Sequence, residues 1–301
     1  MSFHSVYPES AGTGKEKNQL RVIGQDIHLM NPALLRAVEQ RDRAALADMA
    51  KKQVAAGADA LDLNLGPVGR KDDLFAWAVD VMQQAVPVPL FASAQILSQP
   101  GVIKAHQGTL TVNSITADPA TLADSLQQAL QYDAEVVVLL VRPGLVPVTA
   151  EDRLQIALDV LETAVHVGFP LSRLYLDPIF QPKPAPMTWQ LSRGVPDLDS
   201  VLETLTLLPQ LSSERVRTII ALSGASRYLN ADGRASLEHR LLPMLLDAGL
   251  DAVILNCHDS RLMEIARAPH ATAQLTIGAG NQALPFLPHD WTAADPAGLL
   301  W

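Results

Sequence analysis

The residues of this chain that could do chemistry are concentrated first in residues 57–67 (GADALDLNLGP). Leucines alternate there with Asp62 and Asn64, so a strand would have one apolar face and one face with an acid and an amide. The flanking pattern predicts a parallel strand enclosed by helices, and both faces of such strands are usually apolar. Buried polar side chains require a partner or a ligand. We therefore expect Asp62 and Asn64 to line a binding site.

Similar polar residues follow the other apolar runs of the chain. They are Gln25, Asp26, Ser93, Asn113, Ser114, Asp177, Ser223, Ser226, Asn256, His258 and Asp259. This set suits a neutral heterocycle rich in N–H donors and ring acceptors, because Asn and Asp can pair edge-on with an amidine or a pyrimidinone. It suits phosphate poorly, and no phosphate-cradling glycine motif is present.

These residues also have a structural interpretation as helix caps or turn closures. For Ser93, Ser114 and Ser226 that interpretation is the stronger one. Asp62, Asn113 and Asp177 each lie on or at the end of an apolar strand. We expect ligand contacts from these three.

Metal and thiol chemistry are not predicted. His258 and Asp259 lack the spaced partners of a zinc site, and we interpret them as a turn after the last strand. Cys257, the single cysteine of the chain, would need a nearby base and a cationic setting to act as a nucleophile. We expect it to be buried and inert. One cysteine also excludes an internal disulfide framework and fits a reducing compartment.

The elements that must position these residues alternate between short apolar strands and helices. Strands are predicted at 21–24, 61–65, 89–92, 110–113, 135–141, 174–177, 218–223 and 252–256, and helices at 44–56, 73–84, 101–106, 119–132, 150–167, 198–208, 235–248 and 260–267. Asp118 is the predicted N-cap of the helix 119–132. An open, doubly wound sheet would alternate in the same way. The count of eight strands favours an α/β fold of the (β/α)₈ TIM-barrel type, whose strand ends hold ligands.

Length and composition support one barrel with terminal extensions. We predict a flexible N-terminal arm at 1–20, the barrel at 21–268, and a C-terminal tail at 269–301 that packs on the barrel. A hydrophobic content of 48% indicates a large core, and a net charge of −9 argues against a nucleic-acid partner. The chain shows neither a leader nor an apolar run of about 18 residues. We expect a cytoplasmic protein with no membrane association.

Several of these motifs occur in the order found in one known family. They are residues 22–24 (VIG), 57–67, 113–115 (NSI), 176–178 (LDP), 222–223 (LS) and 248–253 (AGLDAV). Over about residues 21–267 the chain resembles the pterin-binding barrel family. It is most similar to the methyltransferase branch, whose members move a methyl group between methyltetrahydrofolate and a corrinoid protein.

The resemblance implies roles for particular residues. In that branch an aspartate after the third strand, an asparagine after the fourth and an aspartate ending the sixth hold the pterin ring. Asn113 and Asp177 match the last two. The first is replaced, because Ala92 or Ser93 stands where the aspartate is expected.

Two further positions depart from the family pattern. The usual Ser-Asn after the seventh strand, whose asparagine bonds near the methylated nitrogen, is Ser223-Gly224 here, and the usual Gly-Glu after the first strand ends in Gln25. A departing amine nitrogen needs protonation or a strong hydrogen bond, and losing one such donor costs about 10²-fold in rate. Asn256 or Arg227 would have to substitute.

The resemblance thus implies a methyltransferase acting on tetrahydrofolate or a related tetrahydropterin, with cobalamin carried by a partner corrinoid protein and no protein-bound metal. It also implies a homodimer. The catalytic candidates are Asn113, Asp177 and Asn256. The candidates for substrate binding are Gln25, Asp62, Asn64, Ser93, Asn113, Asp177, Ser223, Ser226 and Arg227.

Two alternatives remain open. The replacements at Ala92 and Gly224 are compatible with a pterin-binding subunit that has lost catalysis. A dihydropteroate synthase-like enzyme is the other, since Ser226-Arg227 resembles the Ser-Arg-Lys strand end of that branch, although its anion-binding loop after the first strand is absent. The identity of the pterin, the corrinoid partner and the direction of transfer stay open.

Overall fold

Eight parallel strands form the centre of the molecule. The computed structural model describes residues 19–66, 72–145, 147–180, 198–227 and 229–268. The strands close into a barrel in sequence order, each paired with the next and β8 paired with β1. They are β1 (Arg21–His28), β2 (Ala60–Asn64), β3 (Leu90–Ala92), β4 (Leu110–Thr116), β5 (Glu135–Leu139), β6 (Leu174–Asp177), β7 (Arg217–Ala221) and β8 (Ala252–Leu255). The predicted (β/α)₈ barrel is confirmed.

Helices connect the strands and cover the outside of the barrel. They are α1 (Pro32–Glu39), α2 (Arg43–Ala55), α3 (Asp72–Ala85), α4 (Pro100–Ala105), α5 (Leu122–Gln131), α6 (Ala150–His166), α7 (Leu198–Leu207), α8 (Ser223–Ser226), α9 (Ala231–Asp247) and α10 (Ser260–Arg267). In the described part of the chain, none of the helices combines the length and apolar character that a bilayer crossing requires. The predicted arm and tail lie outside the described residues, except for residues 19 and 20, so the proposed domain boundaries stay predictions.

Three local expectations are corrected. The first strand runs on to His28, so Gln25 and Asp26 lie within it and not after it. Helix α1 was not predicted, although Asn31 followed by proline is a helix start; the Asn31 side chain accepts a hydrogen bond from Ala33 N. Asp118 does not cap α5, which begins four residues later, because its carboxylate accepts from Ala120 N at 3.0 Å and closes the preceding turn.

Side chains of the strands alternate between the barrel interior and the surrounding helices. The interior is filled by Ile23, Ala60, Phe91, Val137, Tyr175, Ile219, Ala252 and Ile254. Leu61, Leu63 and Leu65 belong instead to the larger core between strands and helices, and all three are fully buried. The predicted division of β2 into an apolar face and a polar face is therefore confirmed.

A polar network closes the barrel at the amino ends of the strands. The hydroxyl of Tyr175 accepts hydrogen bonds from Arg21 at 2.5 Å and Arg217 at 2.7 Å. The same arginines pair with Glu135 at 3.1 and 2.7 Å, and Thr111 donates to Glu135 at 2.9 Å. These inward-facing residues bind one another across this end of the barrel.

Candidate functional site

Acids and amides collect at the opposite end, which we call the mouth. The pairing register sets Asp62 beside Phe91, Asn113 beside Val137 and Asp177 beside Leu139. Phe91 and Val137 point into the barrel, and paired residues of neighbouring strands face the same way. The three polar side chains therefore face inward at the carboxyl ends of β2, β4 and β6.

Asp62 and Asn113 form a direct pair across the end of the short strand β3. Asn113 Nδ2 donates to Asp62 Oδ1 at 2.9 Å. Burial raises the pKa of Asp62 to about 7, against the opposing effect of this hydrogen bond. Within the described chain, Asp62 Oδ2 has no hydrogen-bond partner. The pair therefore presents a carboxylate oxygen and an amide oxygen to the mouth.

Asp177 ends β6 and is held by the turn that follows it. Its Oδ1 accepts from Ile179 N at 2.7 Å. Burial raises its pKa to about 7, against the lowering effects of this hydrogen bond and of the Arg153 charge. Two carboxyl groups at the mouth thus change ionisation near neutral pH, which is typical of functional sites.

A bulge in β1 brings two further residues to the mouth. Gly24 pairs with Leu61 and Ile27 with Leu63, so Gln25 and Asp26 together oppose Asp62. Bulges of this kind re-aim side chains beside binding sites. Gln25 Oε1 is buried, and no described residue donates to it. A ligand N–H at the mouth would satisfy this acceptor.

The bulge is held from outside by Gln53 of α2. Asp26 N donates to Gln53 Oε1 at 3.0 Å, and Gln53 is fully buried. A Cβ at Gly24 would lie 2.4 Å from the same oxygen, so a larger residue would displace the Gln53 side chain and its hydrogen bond to Asp26 N. Glycine at this position therefore serves a close approach between strand and helix.

The rim between β8 and β1 has an acid–imidazole pair. His258 Nε2 lies 3.0 Å from Asp26 Oδ2, and the side chains are 44% and 24% exposed. Burial raises the pKa of Asp26, and the charge of His258 opposes this. Asn256 directly follows β8, and its Oδ1 accepts a hydrogen bond from His258 N at 3.0 Å. Its Nδ2 is therefore the atom that can donate to a ligand.

Ala92 and Ser93, the two residues that stand where the resemblance leads us to expect an aspartate, face different sides of the sheet. Ala92 is fully buried in the core between strands and helices, whereas Ser93 is the next residue with the inward parity of Phe91. Of the two, Ser93 is therefore the residue on the inward side. Its hydroxyl donates to Gln95 Oε1 at 3.3 Å, in line with the turn-closing interpretation.

Four other predicted substrate contacts do not face the mouth as Asp62, Asn113 and Asp177 do. Asn64 closes a turn, since its Oδ1 accepts from Gly66 N at 3.0 Å. Ser223 begins α8 at the rim, and Arg227 lies exposed just after that helix. Ser226 is fully buried and its hydroxyl donates to Glu238 of α9, so it is not available to a ligand there.

The remaining reactive groups are structural. Cys257 is 2% exposed, and burial raises its pKa to about 12, as expected for an inert thiol. Asp259 caps α10 by accepting from Arg261 N and Leu262 N. The described residues include no group of three or more His, Cys, Asp or Glu side chains arranged to hold a metal ion.

Sequence reasoning missed Arg153, which is fully buried in α6 and contacts the turn after Asp177. A signal was present, because Arg153 falls between Ala150 and Ala157 on the buried stripe of the helix. It also missed the Asp26–His258 pair, which no local spacing encodes.

The closed barrel brings two carboxyl groups with pKa values of about 7 and an amide together at its mouth. No family model matches the chain. In sequence it is similar to a methylcorrinoid:tetrahydrofolate methyltransferase of Eubacterium limosum, at 24% identity over 164 residues, which is 52% of this chain and 59% of that protein. The chain thus spans less than two thirds of this relative's length.

Solved structures share the fold. A dihydropteroate synthase of Xanthomonas albilineans in complex with 7,8-dihydropteroate has a TM-score of 0.60 at 13% identity, covering 83% of this chain and 92% of that one. A synthase of Yersinia pestis with a pterine-sulfa conjugate has a TM-score of 0.58 at 17% identity, covering 82% and 90%. The predicted resemblance to the pterin-binding barrel family is confirmed in both sequence and fold.

Proposed function

We propose that this protein binds a reduced pterin at the barrel mouth and exchanges its methyl group with a corrinoid protein. The observation that carries the proposal is the set of inward-facing acceptors: Asp62, Asn113 and Asp177, together with the buried, unsatisfied Gln25 Oε1. The amidine edge of a pterin offers several N–H donors, which these acceptors match. The sequence relative acts on tetrahydrofolate and a methylcorrinoid by its name, which supports the same choice here.

In this proposal the acids orient the ring. The outer oxygens of Asp62 and Asp177 accept from ring N–H groups, and Asn113 keeps the Asp62 carboxylate in place through its 2.9 Å hydrogen bond. Asp62 supplies an acid on β2, the strand beside the one that Ser93 follows. We place the reduced half of the ring towards the rim of β7, β8 and β1, where the candidate proton donors lie.

The chemistry of this chain at that rim is hydrogen bonding and proton transfer to the departing nitrogen. The corrinoid partner would supply the cobalt centre that exchanges the methyl group. When the carbon–nitrogen bond breaks, its electron pair stays on nitrogen and takes up a proton. Asn256 Nδ2 and the Asp26–His258 pair are the proposed donors, since they stand together at the rim. Ser223 and Arg227 remain proposed contacts of the outer part of the substrate.

The test is calorimetric titration of the full chain with methyltetrahydrofolate and with its methanopterin counterpart, followed by a spectroscopic assay of cobalt methylation with a corrinoid protein. We expect binding of one of the two pterins and methyl exchange. Asp177→Asn should weaken binding by about tenfold or more, because one carboxylate acceptor is lost. Asp124→Asn on the exposed side of α5 is the matched control. Normal binding and transfer by Asp177→Asn would contradict the proposal.

The same experiments separate the alternatives. A pterin-binding subunit without catalysis would bind pterin and show no exchange with any corrinoid protein. A synthase-like enzyme would release product from a pterin pyrophosphate and an aminobenzoate. The synthase-like alternative is disfavoured by Ser226. This residue resembles part of the synthase strand end in sequence, but it is buried against Glu238.

A further inference from the structure

Arg153 of α6 is fully buried, although arginine is among the residues least often found inside proteins. Its guanidinium donates to the carbonyl oxygens of Pro178 at 2.7 Å and Ile179 at 3.4 Å. It also donates to Thr149 O at 3.3 Å and to Ser200 Oγ of α7 at 2.6 Å. One side chain thus joins two helices to the turn that follows β6.

That turn is the one that holds Asp177. Ile179 donates its backbone N–H to Asp177 Oδ1 and accepts from Arg153 at its own carbonyl oxygen. The backbone of Ile179 therefore connects the two side chains, because its carbonyl oxygen contacts Arg153 and its N–H contacts Asp177. A displacement of the Arg153 guanidinium would therefore move the Ile179 N–H, which is the donor that orients Asp177.

The backbone of the turn needs this support. Ile179 has φ of 43°, in the left-handed region that a β-branched residue rarely adopts. Such a conformation costs about 1–2 kcal/mol and persists only where the surroundings impose it. The two carbonyl groups fixed by Arg153 flank this residue's N–H, so the arginine holds the conformation in which that N–H points at Asp177.

We propose that Arg153 is the positioning residue of the mouth: it fixes the Pro178–Ile179 turn and thereby sets the orientation and charge of Asp177. The expected effect of Arg153 on pterin affinity rests on the function proposed above, whereas its expected effect on Asp177 does not. The charge of Arg153 lowers the pKa of Asp177 by itself, so the positioning role is identified by Arg153→Lys, which keeps the charge and changes only the geometry of the contacts. The two roles can therefore be separated by experiment.

The first test needs no ligand. The carboxyl carbon of Asp177 is titrated by NMR in the full chain, with Asp177→Asn used to assign the signal. The positive charge of Arg153 and the Ile179 N–H both lower the pKa of Asp177 against the effect of burial. Arg153→Met removes the charge and loosens the turn, so we expect Asp177 to titrate at higher pH than in the parent protein.

Arg153→Lys distinguishes charge from geometry. Lysine keeps the charge but lacks the planar fork that reaches several carbonyl groups. We expect a smaller upward displacement of the Asp177 titration than in Arg153→Met. If both variants leave the titration of Asp177 unchanged, the proposal is overturned. If Arg153→Met does not fold, an unchanged titration in Arg153→Lys alone overturns it.

The second test measures pterin affinity. We expect Arg153→Lys to weaken binding by about tenfold, because a misplaced Asp177 loses hydrogen bonds to the ring. The matched control is Arg173→Lys, which alters an arginine paired with Asp133 at the opposite end of β6. Equal affinities of Arg153→Lys and the parent protein would overturn the role in binding. If the parent protein binds no pterin, the proposed function fails, and the NMR titration still decides the role of Arg153.

Discussion

At the scale of single residues, the mouth is defined by carboxyl groups whose ionisation is set by burial. Asp62 and Asp177 share this property, with pKa values raised to about 7 in both cases. In each carboxyl group one oxygen accepts a hydrogen bond from the protein, and each side chain faces inward near the carboxyl end of its strand. These residues are therefore responsive to a ligand that supplies N–H donors.

We predict that pterin affinity rises with pH. Below a pKa of about 7 each acid is protonated and is a poorer acceptor for ring N–H groups; above it the carboxylate accepts them. Affinity should therefore fall as the pH is lowered through 7, and binding near neutral pH should release protons. Calorimetry in two buffers of different ionisation enthalpy measures both effects. An affinity that stays constant from about pH 6 to pH 8 would be the contrary result.

We predict that His258→Gln slows methyl exchange by about 10²-fold and leaves pterin affinity unchanged, because only proton delivery is lost. Stopped-flow spectroscopy of the corrinoid measures the rate. His239→Gln is the matched control, since His239 also pairs with an aspartate, Asp259, at 2.8 Å but belongs to helix α9. Equal rates in the two variants would exclude His258 as the donor.

At the scale of elements, the two ends of the barrel have different tasks. The amino ends are closed by the network around Tyr175, whereas the carboxyl ends hold the unsatisfied acceptors. This division is general in barrels of this kind, in which the carboxyl face supports function and the other face stability. Substitutions at the two ends should therefore affect different measurements.

We predict that Tyr175→Phe destabilises the protein by about 1–3 kcal/mol without changing pterin affinity, because two partly buried arginines lose a shared acceptor. Urea unfolding measures the first quantity and calorimetry the second. Tyr132→Phe, at the end of α5, is the control. A large loss of affinity at unchanged stability would show that the two ends are not separate.

We predict that Gly24→Ala both destabilises the protein by about 1–3 kcal/mol and weakens pterin binding, since its Cβ would overlap the buried Gln53 that supports the β1 bulge. Gly101→Ala is the matched control, because no atom lies within 4 Å of a Cβ at that helical position. Alanine there should be neutral or stabilising. Unfolding curves and titrations of the two variants can be compared directly.

At the scale of the whole molecule, a single closed barrel is enough to assemble the site. Side chains from β1, β2, β4, β6 and the segment after β8 meet at one mouth. The family resemblance implies a homodimer in addition. We predict a sedimentation mass near twice the 32.4 kDa of the chain. A monomer at micromolar concentration would refute the dimer without affecting the site, because every residue proposed for it comes from one chain.

The sequence alone determined the fold class and the central residues of the site. The alternation of short apolar runs with helical segments indicates a barrel, and the polar positions of β2, β4 and β6 follow from residue type and strand-end position. These features are local, since side-chain parity and helical period are set by the backbone itself. For the same reason Asp62, Asn113 and Asp177 could be singled out before any contact was known.

The tertiary structure alone decided which of the other polar residues lie at the mouth and what supports them. Ser226 turns away to Glu238, Asp26 reaches His258 across 232 positions of sequence numbering from β1 to the end of β8, and Arg153 supports Asp177 from a helix. These outcomes depend on closure of the barrel, on a register shift in β1 and on packing between α6 and β6. Contacts between residues far apart in the chain have no local periodicity, so no sequence pattern could reveal them.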